Sequence, residues 1–306
     1  MKRLLPLALI TLLAGTASAQ SPTQPPPLLL LPGSTRGMAL GNAYVAGDTP
    51  DVIFYNPAQV GDSRGTVVSH QRFGSHASLA SLATNTTALG WTVGFGVQYI
   101  EYGAEREDGA TTIGKLAQGG DFAASSVLGL MSFSKQQNGF RVGVTAKYLA
   151  QQVALGRQST PSFDIGFAKD VSFVTIGLVL ADPEGVFDNN STPALRLPTK
   201  VTLGAMATGL PVGTWFDGGI AASVMTDKRG RLVPNGGIEL SYVPVSGWSF
   251  TGRVGAQAAI QPEHDGASAL TLGGERERRS TERGLCVPAA ERGGGDASGG
   301  DSISVG

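Results

Sequence analysis

"GWTVGFGVQY", residues 90–99, and "FRVGVTAKY", residues 140–148, decide how the rest of this chain is read. In the first, Trp91, Val93, Phe95, Val97 and Tyr99 fall on one face of an extended chain, with Thr92, Gly94, Gly96 and Gln98 on the other. In the second, Phe140, Val142, Val144, Ala146 and Tyr148 alternate with Arg141, Gly143, Thr145 and Lys147. A period of two marks a strand, because successive side chains point to opposite faces. "VTLGAMA" (201–207), "GIELSYV" (237–243) and "WSFTGRVGA" (248–256) repeat the theme.

The polar face carries the information. A sheet face turned to water tends to be rich in charge, yet here it is mostly Gly, Thr, Ser and Gln, with occasional Arg or Lys. The apolar face places aromatics near strand ends, as at Tyr99, Tyr148, Tyr242 and Trp248. That combination suits a wall with lipid outside, an aromatic girdle and a crowded polar lumen. Backbone groups cannot stay unpaired in lipid, so such strands must close into an antiparallel transmembrane β-barrel. Twelve strands are expected, near 65–73, 77–83, 87–102, 122–136, 138–150, 162–170, 172–181, 199–208, 213–226, 235–243, 247–260 and 267–274. Long connections (103–121, 150–161, 182–198, 226–234, 261–267) alternate with short turns (136–139, 169–172, 208–213, 243–247), as in outer-membrane barrels. The strand pattern by itself also leaves open a secreted, soluble β-sandwich of the adhesin kind.

Composition fits an exported wall. The 306 residues include 44 Gly and only 15% charged residues, with a mean hydropathy of +0.04. A net charge of −1 gives no global basic field to draw in nucleic acid. Met1-Lys2-Arg3, the apolar run Leu4–Leu13 and Ala17-Ser18-Ala19 read as a secretory signal peptide over 1–19, too short to span a bilayer. The single Cys, Cys286, implies no intramolecular disulfide. Residues 20–33 form a Pro-rich extension, residues 34–63 a compact segment without strand period, and residues 64–274 the barrel. In the compact segment, Met38, Leu40, Ala43, Tyr44 and Ala46 could share one face of a short irregular helix, while Gly37 and Gly41 allow close backbone packing. Such a segment is suited to plug a lumen.

The stretch "STRGMALGNAYVAGDTPDVIFYNPAQVG" (34–61) resembles the start of the PorV/PorQ family of outer-membrane proteins, relatives of the FadL-type fatty-acid channels. The shared pattern falls on Arg36, Met38, Gly41, Ala43, Val45, Ala46, Asp48 or Asp51, and Asn56-Pro57-Ala58; Gly37 lies within it. "RVGVTAKYLAQQVALGRQSTPSFDIGFAKD" (141–170) and "RLPTKVTLGAMA" (196–207) look similar to later parts of the family. The resemblance implies a 14-stranded barrel with an N-terminal lumen plug. It also implies one of two functions: support of protein secretion, with exported proteins or secretion machinery as partners, or passage of a hydrophobic small molecule.

No enzyme is expected, and no catalytic residue, metal or cofactor. His70 and His76 flank the first hairpin without nearby acids, and Ser69-His70 lacks an orienting acid. Arg141, Lys147, Lys200, Glu239 and Arg253 fall on polar faces. They are read as a structural ion network tethering plug to wall, or as a polar constriction.

The last 32 residues, 275–306, differ in texture: 11 are charged and none is aromatic, although the chain has 21 Phe, Trp and Tyr in all. They are expected to be a disordered or frameshifted tail. Under a permitted choice of codons, reading 284–306 one base later gives "DYAFQPLSGGGATHRVGIRFRW", a strand end, a turn and an alternating strand. The preceding 275–284 reads "SASADRLNAD" in the same frame. The expectation is therefore an exported outer-membrane barrel, in contact with outer-membrane lipid, with about twelve of fourteen strands in frame.

Overall fold

The computed structural model describes residues 27–29, 31–73, 77–102, 124–153, 156–183, 197, 199–226, 230–242, 248–258 and 269–278. The signal-peptide reading, His76, His264, Cys286 and the tail beyond Arg278 lie outside these residues.

Twelve strands form one antiparallel sheet in chain order. They are β1 (Gly65–Phe73), β2 (Ala77–Ala88), β3 (Trp91–Tyr102), β4 (Ala124–Gln137), β5 (Phe140–Val153), β6 (Gly156–Val171), β7 (Val174–Ala181), β8 (Lys200–Val212), β9 (Phe216–Thr226), β10 (Leu232–Tyr242), β11 (Trp248–Gln257) and β12 (Ala269–Arg278). The protein is all-β and barrel-like, with almost no helix. β1 pairs with β2 and β12 with β11, and among the described residues no ladder joins β1 to β12.

Every expected strand is present, and the boundaries differ for identifiable reasons. The expected long connection 150–161 is instead mostly ladder, because β5 and β6 stay paired out to Val153↔Gly156. The turn expected at 208–213 lies later, at 213–215: β8 continues to Val212 through a register shift between Ala207 and Leu210. Gly209, at φ 67°, lets the strand absorb the irregularity. The barrel's expected limit at 274 is also corrected, since β12 pairs with β11 as far as Trp248↔Arg278. Short connections, 89–90, 138–139, 172–173 and 213–215, lie at one end of the sheet. At 89–90 and 138–139 both residues have positive φ, the backbone of a type I′ hairpin turn.

The two faces are inverted relative to a water-soluble sheet. On β3, Trp91, Phe95, Val97 and Tyr99 are exposed, while Thr92, Gly94, Gly96 and Gln98 are buried. On β5, Tyr148 is 55% exposed and Arg141 only 2%. The inward face is buried by the N-terminal segment. Its core is built from Leu28, Leu40, Tyr44, Val52, Ile53 and Val60 of that segment against Leu79, Ile100, Leu128 and Leu149 of the wall.

One short helix, α1 (Thr35–Ala39), begins this segment, capped by the Ser34 hydroxyl accepting from the Gly37 amide at 3.0 Å. The helix face expected to include Ala43, Tyr44 and Ala46 does not form. Gly41 and Asn42, both at φ 64°, end the helix, and the buried residues after it sit on turns and on 3-10 helices at Pro50–Phe54 and Pro57–Gly61. α1 touches β1, β11 and β12, and the Pro57–Gly61 turn touches β3 to β7, so the sheet wraps around the segment. This contact accounts for the glycines of the inward face. A Cβ on Gly143 would strike the backbone of Pro57 and Ala58, one on Gly237 the backbone of Leu40, and one on Gly255 the backbone of Leu40 and Gly41.

Candidate functional site at the plug–wall interface

Three ion-pair clusters join the N-terminal segment to the inner wall or brace the wall beside it. The first is centred on Glu239 of β10. Its carboxylate accepts from Arg36 Nη2 at 2.8 Å and Nε at 3.3 Å, and from Arg253 Nε at 3.0 Å. Arg36 Nη1 also donates to Asp48 at 2.6 Å, and Arg253 Nη2 pairs with Glu275 at 2.7 Å. The arrangement follows from register: Glu239 and Arg253 are direct cross-strand partners, and Arg36 reaches them from α1.

The second cluster ties the far end of the segment. Arg141 of β5, buried to 2%, pairs with Asp62 at 2.7 Å and Asp170 at 2.5 Å. Asn56 anchors the turn above it. Its side-chain amide donates to the Val45 carbonyl at 2.8 Å and the Phe167 carbonyl at 3.4 Å, and its oxygen accepts from the Ala58 amide at 2.9 Å. Pro57 and Ala58 then lie over the bare backbone of Gly143. Asn56→Ala removes every one of these bonds and leaves the Val45 carbonyl short of a donor. A loss of about 1–3 kcal/mol in unfolding free energy is expected by urea titration.

The third cluster is within the wall. Lys147 holds Asp164 at 2.7 Å and Asp182 at 2.5 Å, and the Ser162 hydroxyl donates to Asp182 at 2.8 Å. Beside it, the Lys200 ammonium donates to the Leu29 carbonyl at 3.1 Å, which fixes the chain ahead of α1.

The two acids of the plug motif have different surroundings. Asp48 is on the exposed side and pairs with Arg36. Asp51 is buried and accepts from the hydroxyls of Ser34 and Thr49, not from Arg36; Thr49 in turn bonds the Tyr44 hydroxyl. Burial raises the Asp51 carboxyl above its ordinary range, and the hydrogen bonds from Ser34 and Thr49 offset only part of that. A carboxyl held high when folded binds its proton more tightly in the folded state, so its contribution is favourable below about pH 4 and is lost as pH rises through the folded value. Thermal stability of the native chain should therefore carry a component that falls on going from about pH 4 toward neutrality. Asp51→Asn should remove that component, as read by melting temperature against pH for the two proteins.

Gly37 and Gly41 are sites of close approach, to Tyr55 and to the Ala256 backbone respectively. Met38 and Arg36 line a cavity of about 460 Å³. That cavity lies between β1 and β12, walled also by Gln71, Glu239, Thr251, Arg253 and Gly273. Ser69 and His70 point to opposite faces of β1: Ser69 is buried and its hydroxyl bonds that of Ser81 at 2.5 Å, while His70 is exposed. Sequence reading named five wall charges, with Glu239 and its partner Arg253 among them, but not Asp62, Asp164, Asp170, Asp182 or Glu275. Asp164 shares the inward parity of "SFDIGFAKD" and could have been found; Asp62 could not, because its partner depends on how the N-terminal segment sits against the sheet, and Glu275 was read as tail although it stands on β12 diagonally across from Arg253.

Fold and site together define a class: a single-sheet, barrel-like all-β protein whose interior is filled by its own N-terminal segment, held by buried ion pairs. The chain matches no protein-family model, and no curated protein is similar to it.

Proposed function

We propose that this chain is an outer-membrane β-barrel protein of the PorV/PorQ type, exported through its signal peptide, that supports transport or protein secretion across the outer membrane without enzymatic chemistry. The observation that carries the reading is the inverted burial of the sheet. Its outward face presents Trp91, Phe95, Tyr148, Phe167, Ile220 and Ile238, among many others, while charge and glycine face inward. Water around such a face would leave an apolar surface far beyond what a soluble protein exposes, whereas lipid matches it. The long connections between β3 and β4, β7 and β8, and β11 and β12 all fall at the end opposite the hairpin turns, which supports the same reading, although β5 and β6 are joined by only two residues at that end. The secreted adhesin-like sandwich is disfavoured by that exposed band. Membrane fractionation tests the proposal. The mature protein should sediment with the outer membrane, resist carbonate extraction and migrate faster on gels before heating than after. Recovery wholly in the soluble periplasmic or secreted fraction would overturn it.

A second reading is a FadL-like channel for a hydrophobic small molecule. It is favoured by the apolar patch of the inner wall, where Leu79, Ile100, Leu128 and Leu149 share one buried cluster with Leu28. Lipid co-purifying in the interior would support the channel; exported protein co-purifying would support the secretion partner.

A further inference from the structure

The two outer edges of the sheet remain to be accounted for. β1 and β12 each have one partner, so along both strands alternate backbone N–H and C=O groups have no ladder among the described residues. Lipid supplies no hydrogen bonds to such groups, so two open edges are costly in a spanning sheet. Outward side chains beside the seam stay bare: Val68 of β1 and Leu270 and Leu272 of β12 are 62%, 69% and 69% exposed, against 46–58% for Phe95, Ile220 and Ile238 within the sheet, though Leu232 at the start of β10 reaches 71%. Behind them lies the 460 Å³ cavity, bounded by β1 on one side and by β11 and β12 on the other. α1 spans it from within, touching β1, β11 and β12.

We infer that the β1–β12 seam is the place of an antiparallel β-hairpin, encoded one base out of frame after Gly274, that completes the barrel; this rests on the membrane-barrel reading above. The occupant must have two strands of roughly the length of β1 and β12, nine and ten residues, with apolar side chains outward to continue Val68, Leu270 and Leu272. The in-frame residues after Gly274, of which 275–278 end β12, contain no aromatic and no run of apolar alternation. The one-base-later reading supplies both requirements in order. "SASAD" continues β12 and turns, "RLNADYAF" alternates Leu, Ala, Tyr and Phe with Arg, Asn, Asp and Ala, "QPLSGGGAT" turns, and "HRVGIRFRW" alternates His, Val, Ile, Phe and Trp with Arg and Gly. The first new strand would pair with β12 and the second with β1, its apolar set beside Val68.

Sequencing the gene is the first test. The string is expected in the one-base-later frame, and stops or an unrelated sequence there overturn the inference. Disulfide trapping is the second, in detergent-folded protein carrying Cys286→Ser. Val68→Cys combined with Leu270→Cys or Leu272→Cys should give no cross-link in the 306-residue chain. In a chain whose residues after Gly274 are replaced by the alternative-frame string, Val68→Cys should cross-link to a cysteine at an outward position of "HRVGIRFRW". That chain should also resist protease at least tenfold longer. A direct β1–β12 cross-link, or a restored chain no more resistant than the original, overturns the inference. The two readings fail separately. A chain found only in soluble fractions removes the barrel, while a membrane-bound chain with β1 joined directly to β12 removes only the hairpin.

Discussion

Replacing Glu239 by leucine is expected to destabilise the protein by about 3–5 kcal/mol, the cost of breaking a buried ion pair from one side. The reason is that one carboxylate serves two guanidiniums. Arg36 and Arg253 both bond it, and the side chains of Arg253 and Glu239 are each only 8% exposed. Without it both cations stay in the interior, each with one remaining acid, Asp48 for Arg36 and Glu275 for Arg253. Those residual pairs set the effect nearer the lower end of the range. Glu239→Gln keeps the acceptor oxygen and loses only the charge, so it should cost less. Combining Glu239→Leu with Arg36→Met should recover part of the loss, because the uncompensated charge goes with the partner. Urea titration followed by tryptophan fluorescence measures all three. A Glu239→Leu protein as stable as the parent would mean that the cluster holds nothing in place.

Gly255→Val should have a comparable effect by a different route. A Cβ at this position would sit against the Gly41 amide nitrogen and the Leu40 carbonyl carbon, and close to the Ala39 carbonyl oxygen. These are backbone atoms, so no rotamer change relieves the clash. Either the strand or the segment after α1 must move. Overpacking ordinarily costs about 1–3 kcal/mol, and with a rigid obstacle the upper end or more is expected. The signature is specific: residues 34–63 should become accessible to limited proteolysis while the strands stay protected. Gly129→Val and Gly252→Val are the matched controls, since a Cβ at either meets nothing within 4 Å. They should leave both stability and the cleavage pattern near those of the parent.

These two variants mark where sequence reading stopped. The period of two in 90–99 and 140–148 was enough to locate all twelve strands, because alternation is a local property of each segment. Boundaries were harder, since a strand's end is set by its neighbour. β6 begins at Gly156 because β5 pairs that far, and "GLPV" continues β8 because β9 takes it up past the irregularity. The glycines were read correctly as wall positions, but nothing in their spacing said that Gly143, Gly237 and Gly255 are bare because plug backbone lies on them. The plug acids show the same limit. Asp48 and Asp51 are three residues apart and equally acidic in sequence, yet one meets Arg36 in the open and the other is buried among hydroxyls.

What the amino-acid sequence determined alone is the strand pattern, the twelve-strand antiparallel order and the presence of charge on the glycine-rich face, all of which follow from side-chain parity along an extended backbone. Only the tertiary structure decided which charges meet. Arg36 and Glu239 are 203 residues apart, and they come together because the curl of the sheet brings β10 and β11 around to α1. That no ladder joins β1 to β12 among the described residues was also decided there, since pairing between the first and last strands depends on the circumference of the whole sheet and on no single segment of it.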